Sequence, residues 1–182
     1  MKTILLILFP LIMFSQTYET QKYTLISKLD NFEIRYYPKS LKARVISQQN
    51  SNNNFMKLFR YISGNNEEKN KISMTTPVYM NNDSDGSSMD FVLPSKFDLN
   101  NIYKPRDNDV KIIESKAGYF ASFKYGGYSN YSKVKKYTKK LYVILNSKNI
   151  EYIGNSSYVS YNSPYKLFNR RNEIIVEIKY SK

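Results

Sequence analysis

The sequence predicts an α+β fold, an antiparallel sheet or open barrel carrying one helix on each half, built as an internal two-fold repeat. Three observations predict it. Apolar side chains alternate along most of the chain with the period of two that a strand imposes. Two segments break that alternation with the spacing of an amphipathic helix. The order strands, helix, strands before the polar, Pro-bearing crossover of residues 94–109 recurs after it.

In "FEIRYYP", Phe32, Ile34 and Tyr36 alternate with Glu33, Arg35 and Tyr37; in "LKARVIS", Leu41, Ala43 and Val45 alternate with Lys42 and Arg44. Pro38 and Ser40 mark a turn between them, so the pair reads as an antiparallel hairpin with one solvated face. In "SNNNFMKLFRYISGNN", Phe55, Leu58, Phe59 and Ile62 fall at i, i+3, i+4 and i+7, the stripe of a helix. Asparagines 52–54 can cap its start, and Gly64 can supply the left-handed residue that ends it. "NKISMTTPVYM" follows, with Met74 and two threonines completing the link from helix to sheet and Pro77 setting the start of the next strand. "NNDSDGSS" (81–88) reads as a hairpin loop. Beyond it, "MDFVLP" points Met89, Phe91 and Leu93 one way, and "YFASFKY" does the same with Tyr119, Ala121, Phe123 and Tyr125. The second helix carries Val134, Tyr137, Leu141, Ile144 and Leu145 on one stripe, with Lys133, Lys136 and Lys140 on an opposite, solvated face. "EIIVEIKY" closes the chain with Ile174, Val176 and Ile178 on one face.

Residues 1–15 stand apart from the single domain expected over 19–180. Lys2, the apolar run Ile4–Phe14 and the polar exit at Ser15 and Gln16 read as a secretory signal. The run is too short for a membrane span, which needs about 20 apolar residues, and Pro10 interrupts it. No Cys follows, which excludes a lipid-anchored lipoprotein. An exported monomer, periplasmic or secreted, with no integral membrane span is the expectation.

The chain of 182 residues contains neither Cys nor His. Disulfides, thiolate and imidazole metal sites, Cys nucleophiles and imidazole-dependent triads are all excluded. The 15 acidic residues are scattered, so catalysis by paired carboxylates has no evident seat. The net charge of +13, or +12 without Lys2, reads mainly as a solvated Lys-rich surface. Export and the lack of a recognition motif argue against nucleic acid.

"GNNEEKNKISMTTPVYM" resembles the hallmark segment of the SOUL haem-binding proteins. "YTLISKLDNFEIRYYP", "FMKLFRYISGNN", "FVLPSKFDLNNIYKPRDNDVKI", "YFASFKYGGYS" and "YNSPYKLFNRRNEIIVEI" resemble further segments of that family in the same order, over about residues 19–179. The resemblance implies a distorted antiparallel β-barrel flanked by two α-helices with internal pseudo-two-fold symmetry. That fold is also similar to the small-molecule effector-binding domains of some bacterial transcription regulators.

The resemblance further implies a non-covalent haem or porphyrin ligand. Such a ligand needs apolar walls, cations for its propionates and optionally a metal donor. By position, Phe55 and Phe59 become walls on successive turns. Arg60 becomes one cation and Lys166, in "SPYKLFNRRNE", the second. The same residues also read as core packing and ordinary surface charge, and the sequence leaves both open. Because no His exists, an iron ligand would have to come from Tyr61 or Met56. The favoured mode is unligated, hydrophobic capture with a high-spin or five-coordinate spectrum. Two other functions compete. One is a binding module for other lipophilic or cationic small molecules, for which Glu173 is the candidate acid, although flanking Arg170 and Arg171 are expected to pair with it instead. The other is a hydrolase using a Ser–Lys pair that no spacing singles out.

Overall fold

The structure, a computed structural model, describes residues 18–47, 53–83, 86–163 and 165–180. The signal-like run, Asn52 and positions 84 and 85 of the expected loop lie outside the described residues. The alternating segments become strands β1 (Glu19–Thr20), β2 (Thr24–Leu29), β3 (Phe32–Tyr37) and β4 (Ser40–Ser47), followed by helix α1 (Asn54–Ile62). Then come β5 (Thr75–Thr76), β6 (Val78–Asp83), β7 (Gly86–Val92), β8 (Val110–Ser115) and β9 (Gly118–Gly126). Helix α2 (Tyr131–Ser147), β10 (Tyr152–Ser160) and β11 (Arg171–Ile178) complete the chain.

Nine strands form one antiparallel sheet in the order β2-β3-β9-β11-β10-β6-β7-β4-β8, and β1 pairs parallel with β5. The sheet does not close into the expected barrel, because β2 and β8 end it without pairing to each other. It curls instead, as a twisted sheet of this width does. Tyr37, Tyr79, Val92, Val159 and Ile175, from five different strands, meet in one cluster on the inner face. Both helices pack on the other face. α1 covers Ala43, Val45 and Phe91 on its half, and α2 covers Ile34, Ala121, Ile174 and Val176 on the other.

The curl corrects two expectations. β3 and β4 are not a hairpin: β3 pairs with β2 and β9, while β4 pairs with β7 and β8. Pro38 and Lys39 carry the chain from one half of the sheet to the other rather than back along it. Nor are the polar faces of these strands solvated. Arg35, Tyr37 and Lys42 are buried because the curled sheet encloses its second face. Alternation reports that two faces differ, not that the polar one is wet.

The α1 stripe is also rotated from the expected one. Leu58, Tyr61 and Ile62 are buried, with Asn54 at the start, whereas Phe59 is exposed and Phe55 half-buried. Asn53 holds the N-cap position without a side-chain cap bond. Gly64 ends the helix as expected, at φ +114°. Its amide donates to Tyr61 O at 3.3 Å and the next amide, Asn65, donates to Arg60 O at 3.0 Å, a Schellman closure. Gly64→Ala is therefore expected to cost about 1–2 kcal/mol, read as a lower urea midpoint at unchanged slope. In the second half, Asn130 caps α2 by accepting from Lys133 N at 2.9 Å, and Leu141 and Leu145 lie in the core.

The segment after α1 plays its linking role. Ile72 N donates to Ile62 O at 2.8 Å, and Ile72 and Met74 join the α1 core. Thr75 Oγ1 donates to Val92 O, Thr76 Oγ1 meets Thr20 Oγ1 at 3.0 Å, and the Thr76–Pro77 peptide is cis ahead of β6. The predicted loop at 81–88 is shorter than expected, since β6 and β7 stay paired out to Asp83 and Gly86.

Candidate functional site

A row of cross-strand partners crosses the helix-bearing face of the sheet. Val45 lies opposite Met89, Met89 opposite Met80, Met80 opposite Tyr158, and Tyr158 opposite Ile174. Directly opposed residues point to the same side. α1 covers the Val45 end of this row and α2 the Ile174 end. Met89, Met80 and Tyr158 are left between the helices as the floor of a groove of about 830 Å³. Asn54 and Phe55 from the first turn of α1 form one wall. Tyr131, Val134, Lys135, Thr138 and Tyr142 from α2 form the other, and Ser87, Ser88, Ser129, Asn130, Asn155 and Ser156 complete the lining.

Hydrogen bonds hold the lining side chains. Tyr158 donates to Asn172 Oδ1 at 2.9 Å, Tyr142 OH accepts from Ser156 N at 3.2 Å, and Asn54 Nδ2 donates to Ser47 Oγ at 2.9 Å. The groove is thus a thioether-bearing floor with hydroxyls and the amides of Asn54, Asn130 and Asn155 around it, and one ammonium, Lys135, on the α2 side.

Of the residues singled out from the sequence, Phe55 lines this groove. Its ring stacks on Phe59, centroids 6.0 Å apart at 11°, and meets Phe91 edge-on at 5.3 Å. Met56, Phe59 and Arg60 are exposed and do not line the groove; Arg60 lies 3.5 Å from Asp107 instead. Lys166 is exposed on the β10–β11 connection, also outside the groove. Tyr61 is fully buried and donates its hydroxyl to Tyr103 O at 2.7 Å. Burial, and then the charge of Glu68, raises the pKa of that hydroxyl, so Tyr61 has neither the access nor the acidity of an iron ligand.

Sequence reasoning missed Met80 and Met89 on the floor and Lys135 on the wall. One signal could have found the first two. A hairpin centred on residues 84–85 sets Met80 and Met89 opposite each other, as the observed register does. Lys135 carried no signal, being one of many lysines in that helix.

The inner face of the sheet holds a second polar cluster. Arg35 grips the Glu173 carboxylate with Nη1–Oε2 at 2.6 Å and Nη2–Oε1 at 3.0 Å. Tyr161 OH donates to Oε2 at 2.9 Å, and Arg171 Nε donates to Oε1 at 2.9 Å. Burial pushes the Glu173 carboxyl up, but the hydrogen bonds and charge of Arg35, then those of Arg171, outweigh it and hold it below the ordinary carboxylate value. Arg171 is thus one of the expected partners. Arg170 is not, and donates to Ser163 O and Lys166 O. With two guanidiniums on it, Glu173 has no charge left for a cationic ligand.

A family model described as SOUL heme-binding protein matches residues 18–177, nearly the whole chain. This chain belongs to the SOUL family. Among solved structures, two hydrolases from Listeria innocua are similar to this SOUL protein, with TM-scores of 0.60 and 0.56. Each has 7% sequence identity, and each alignment covers 82% of this chain and 92% of the other. At that identity the likeness shows the fold alone. No curated protein sequence matches the chain. Among the described residues of this SOUL protein, no cluster of acidic side chains could hold a metal ion, and no helix is long and apolar enough to cross a membrane.

Proposed function

We propose that this SOUL protein is an exported tetrapyrrole binder that holds haem or porphyrin in the groove between α1 and α2. The observation that carries the reading is the groove itself. Its volume of about 830 Å³ falls within the range of about 300–1,000 Å³ typical of small-molecule sites. A flat macrocycle would lie on Met80, Met89 and Tyr158, between Phe55 and Val134. Lys135 would serve a propionate as a point charge. No imidazole is present, so capture is hydrophobic first; any iron donor would be a floor thioether rather than Tyr61. Export rests on Lys2 and the apolar run Ile4–Phe14. We also read the halves as copies of one unit, because the orders β4-β7-β6 and β9-β11-β10 match and a helix follows the first strand in each.

Titration with ferric haem and with metal-free protoporphyrin, followed by absorbance and Tyr fluorescence, tests the reading. Both pigments are expected to bind, with a high-spin or five-coordinate spectrum for haem. Val134→Glu is expected to weaken haem about tenfold or more, by placing a charge against the apolar floor, and Lys135→Glu several-fold. Arg60→Glu and Lys166→Glu should leave affinity unchanged. Sensitivity at Arg60 with none at Val134 and Lys135 would move the site to the outer side of α1. Binding of neither pigment would end the proposal.

A further inference from the structure

The β10–β11 connection holds three large apolar side chains in solvent within four residues. Tyr165 is 89% exposed, Leu167 65% and Phe168 79%. The loop is not left so for want of structure. Lys166 N donates to Ser163 O at 3.1 Å, and Arg171 N donates to Asn162 Oδ1 at 2.6 Å. Arg170 Nη1 donates to Ser163 O at 2.9 Å and to Lys166 O at 2.8 Å, while its guanidinium lies 4.6 Å from the centroid of Tyr128. These bonds tie the described residues of the connection together while Tyr165, Leu167 and Phe168 stay exposed.

The ground around those tips is basic. Residues 115–172 contain eleven Lys and Arg against a single acid, Glu151, and that acid is held by Lys179 at 2.7 Å. Arg170, at the base of the loop, shares a surface recess with Lys124 and Lys140. Lys136 and Lys139 are exposed on the same helix as Lys140. Tyr128 and Tyr131 add further exposed aromatic surface where α2 begins.

We propose that this loop and the basic face of α2 dock the protein on an anionic phospholipid bilayer. Large exposed apolar groups mark an interaction surface. Three side chains supply only on the order of 400 Å², whereas a stable protein partner needs about 800 Å² a side. A lipid surface needs no such area. The aromatic and Leu tips enter the interfacial region, the Lys stems lie along it, and each Lys or Arg near an anionic leaflet adds to the attraction. The contact is reversible and weakens with salt. Because Tyr131 and Lys135 of α2 also line the groove, docking would set the groove beside the bilayer.

The test uses the full chain and a local reporter. The chain has no Trp, so Phe168→Trp introduces one emitter at the loop tip. Its emission is expected to shift to the blue with vesicles of phosphatidylcholine containing about one third phosphatidylglycerol, and to stay unshifted with phosphatidylcholine alone. In flotation with the same vesicles, Leu167→Ser combined with Phe168→Ser is expected to lower binding at least about tenfold, as the loss of two apolar anchors implies. Lys136→Glu combined with Lys139→Glu should lower it comparably. The apolar N-terminal run is common to all variants, so it cancels in the comparison, and all four positions are exposed, so folding is kept. An unshifted emission with anionic vesicles, or flotation that the loop substitutions leave intact, would overturn the proposal. No pigment enters the experiment, so its outcome is independent of the tetrapyrrole reading.

Discussion

Glu173→Ala is expected to lower the unfolding free energy by about 3 kcal/mol. The size follows from what the substitution leaves behind. Arg35 is 1% exposed, Glu173 0%, and their guanidinium–carboxylate contact carries both charges into the interior of the curled sheet. Removing the carboxylate leaves the Arg35 guanidinium on the part-buried Glu33 carboxylate, with Nε–Oε2 at 2.8 Å and Nη2–Oε2 at 2.6 Å, beside the Tyr37 hydroxyl at 3.1 Å and over the Tyr23 ring at 4.4 Å. It also takes the acceptor from Tyr161. The cost is that of a buried guanidinium that loses its bidentate partner and keeps one carboxylate, rather than the worth of the pair. Arg35→Met combined with Glu173→Leu should therefore recover most of the loss, since the desolvation of both ions disappears with them. Urea unfolding of the three proteins measures this. A Glu173→Ala variant within about 1 kcal/mol of the parent, the scale of a single neutral hydrogen bond, would mean that water reaches the pair. The sign of the pH dependence follows from the lowered Glu173 pKa. Its contribution is complete above the ordinary carboxylate value of 4.5 and is lost as pH falls through the lower folded value.

Lys42→Met is expected to act in the opposite direction, stabilising the protein at pH 7 by about 1–3 kcal/mol. Lys42 is 9% exposed on the inner face, its Nζ 3.6 Å from the centroid of the Tyr79 ring. Burial lowers its pKa from 10.5 to about 8; Asp90 opposes the shift, but Asp90 is already gripped by Arg44 through two contacts of 2.7 Å. Between pH 8 and 10.5 the unfolded chain binds a proton that the folded chain does not, so stability rises with pH through that window. Below pH 8 the penalty is complete, about 3 kcal/mol, less what the ammonium gains over the ring. The parent should thus become more stable from pH 8 to 10, and Lys42→Met should be flatter over the same range. Above pH 10 the sign reverses. Burial holds Tyr79 and Tyr161 protonated in the fold after the unfolded chain has lost those protons. Urea midpoints at pH 7, 8, 9 and 10 check the window; a parent that loses stability between pH 8 and 9 would contradict it.

Periodicity determined the type of each element it reached, because a strand and a helix place side chains at periods that no partner can change. "YFASFKY" and "EIIVEIKY" became central strands, and both helices formed where the apolar spacing changed. The order of motifs likewise determined the family, since it depends on local segments and not on how they pack. Pairing was decided only in three dimensions. Pro38 marks a break between two strands whatever follows it, and it was the competition for partners across the sheet that sent β3 to β9 and β4 to β7 and β8. The same long-range pairing curled the sheet, buried Arg35, Lys42 and Glu173, and exposed Phe59 while sinking Tyr61. The groove lay beyond local reading for that reason too. Met80 and Met89 face each other across one hairpin, but Tyr158 joins them from a strand far along the chain, and that long-range register leaves no periodic trace in either segment.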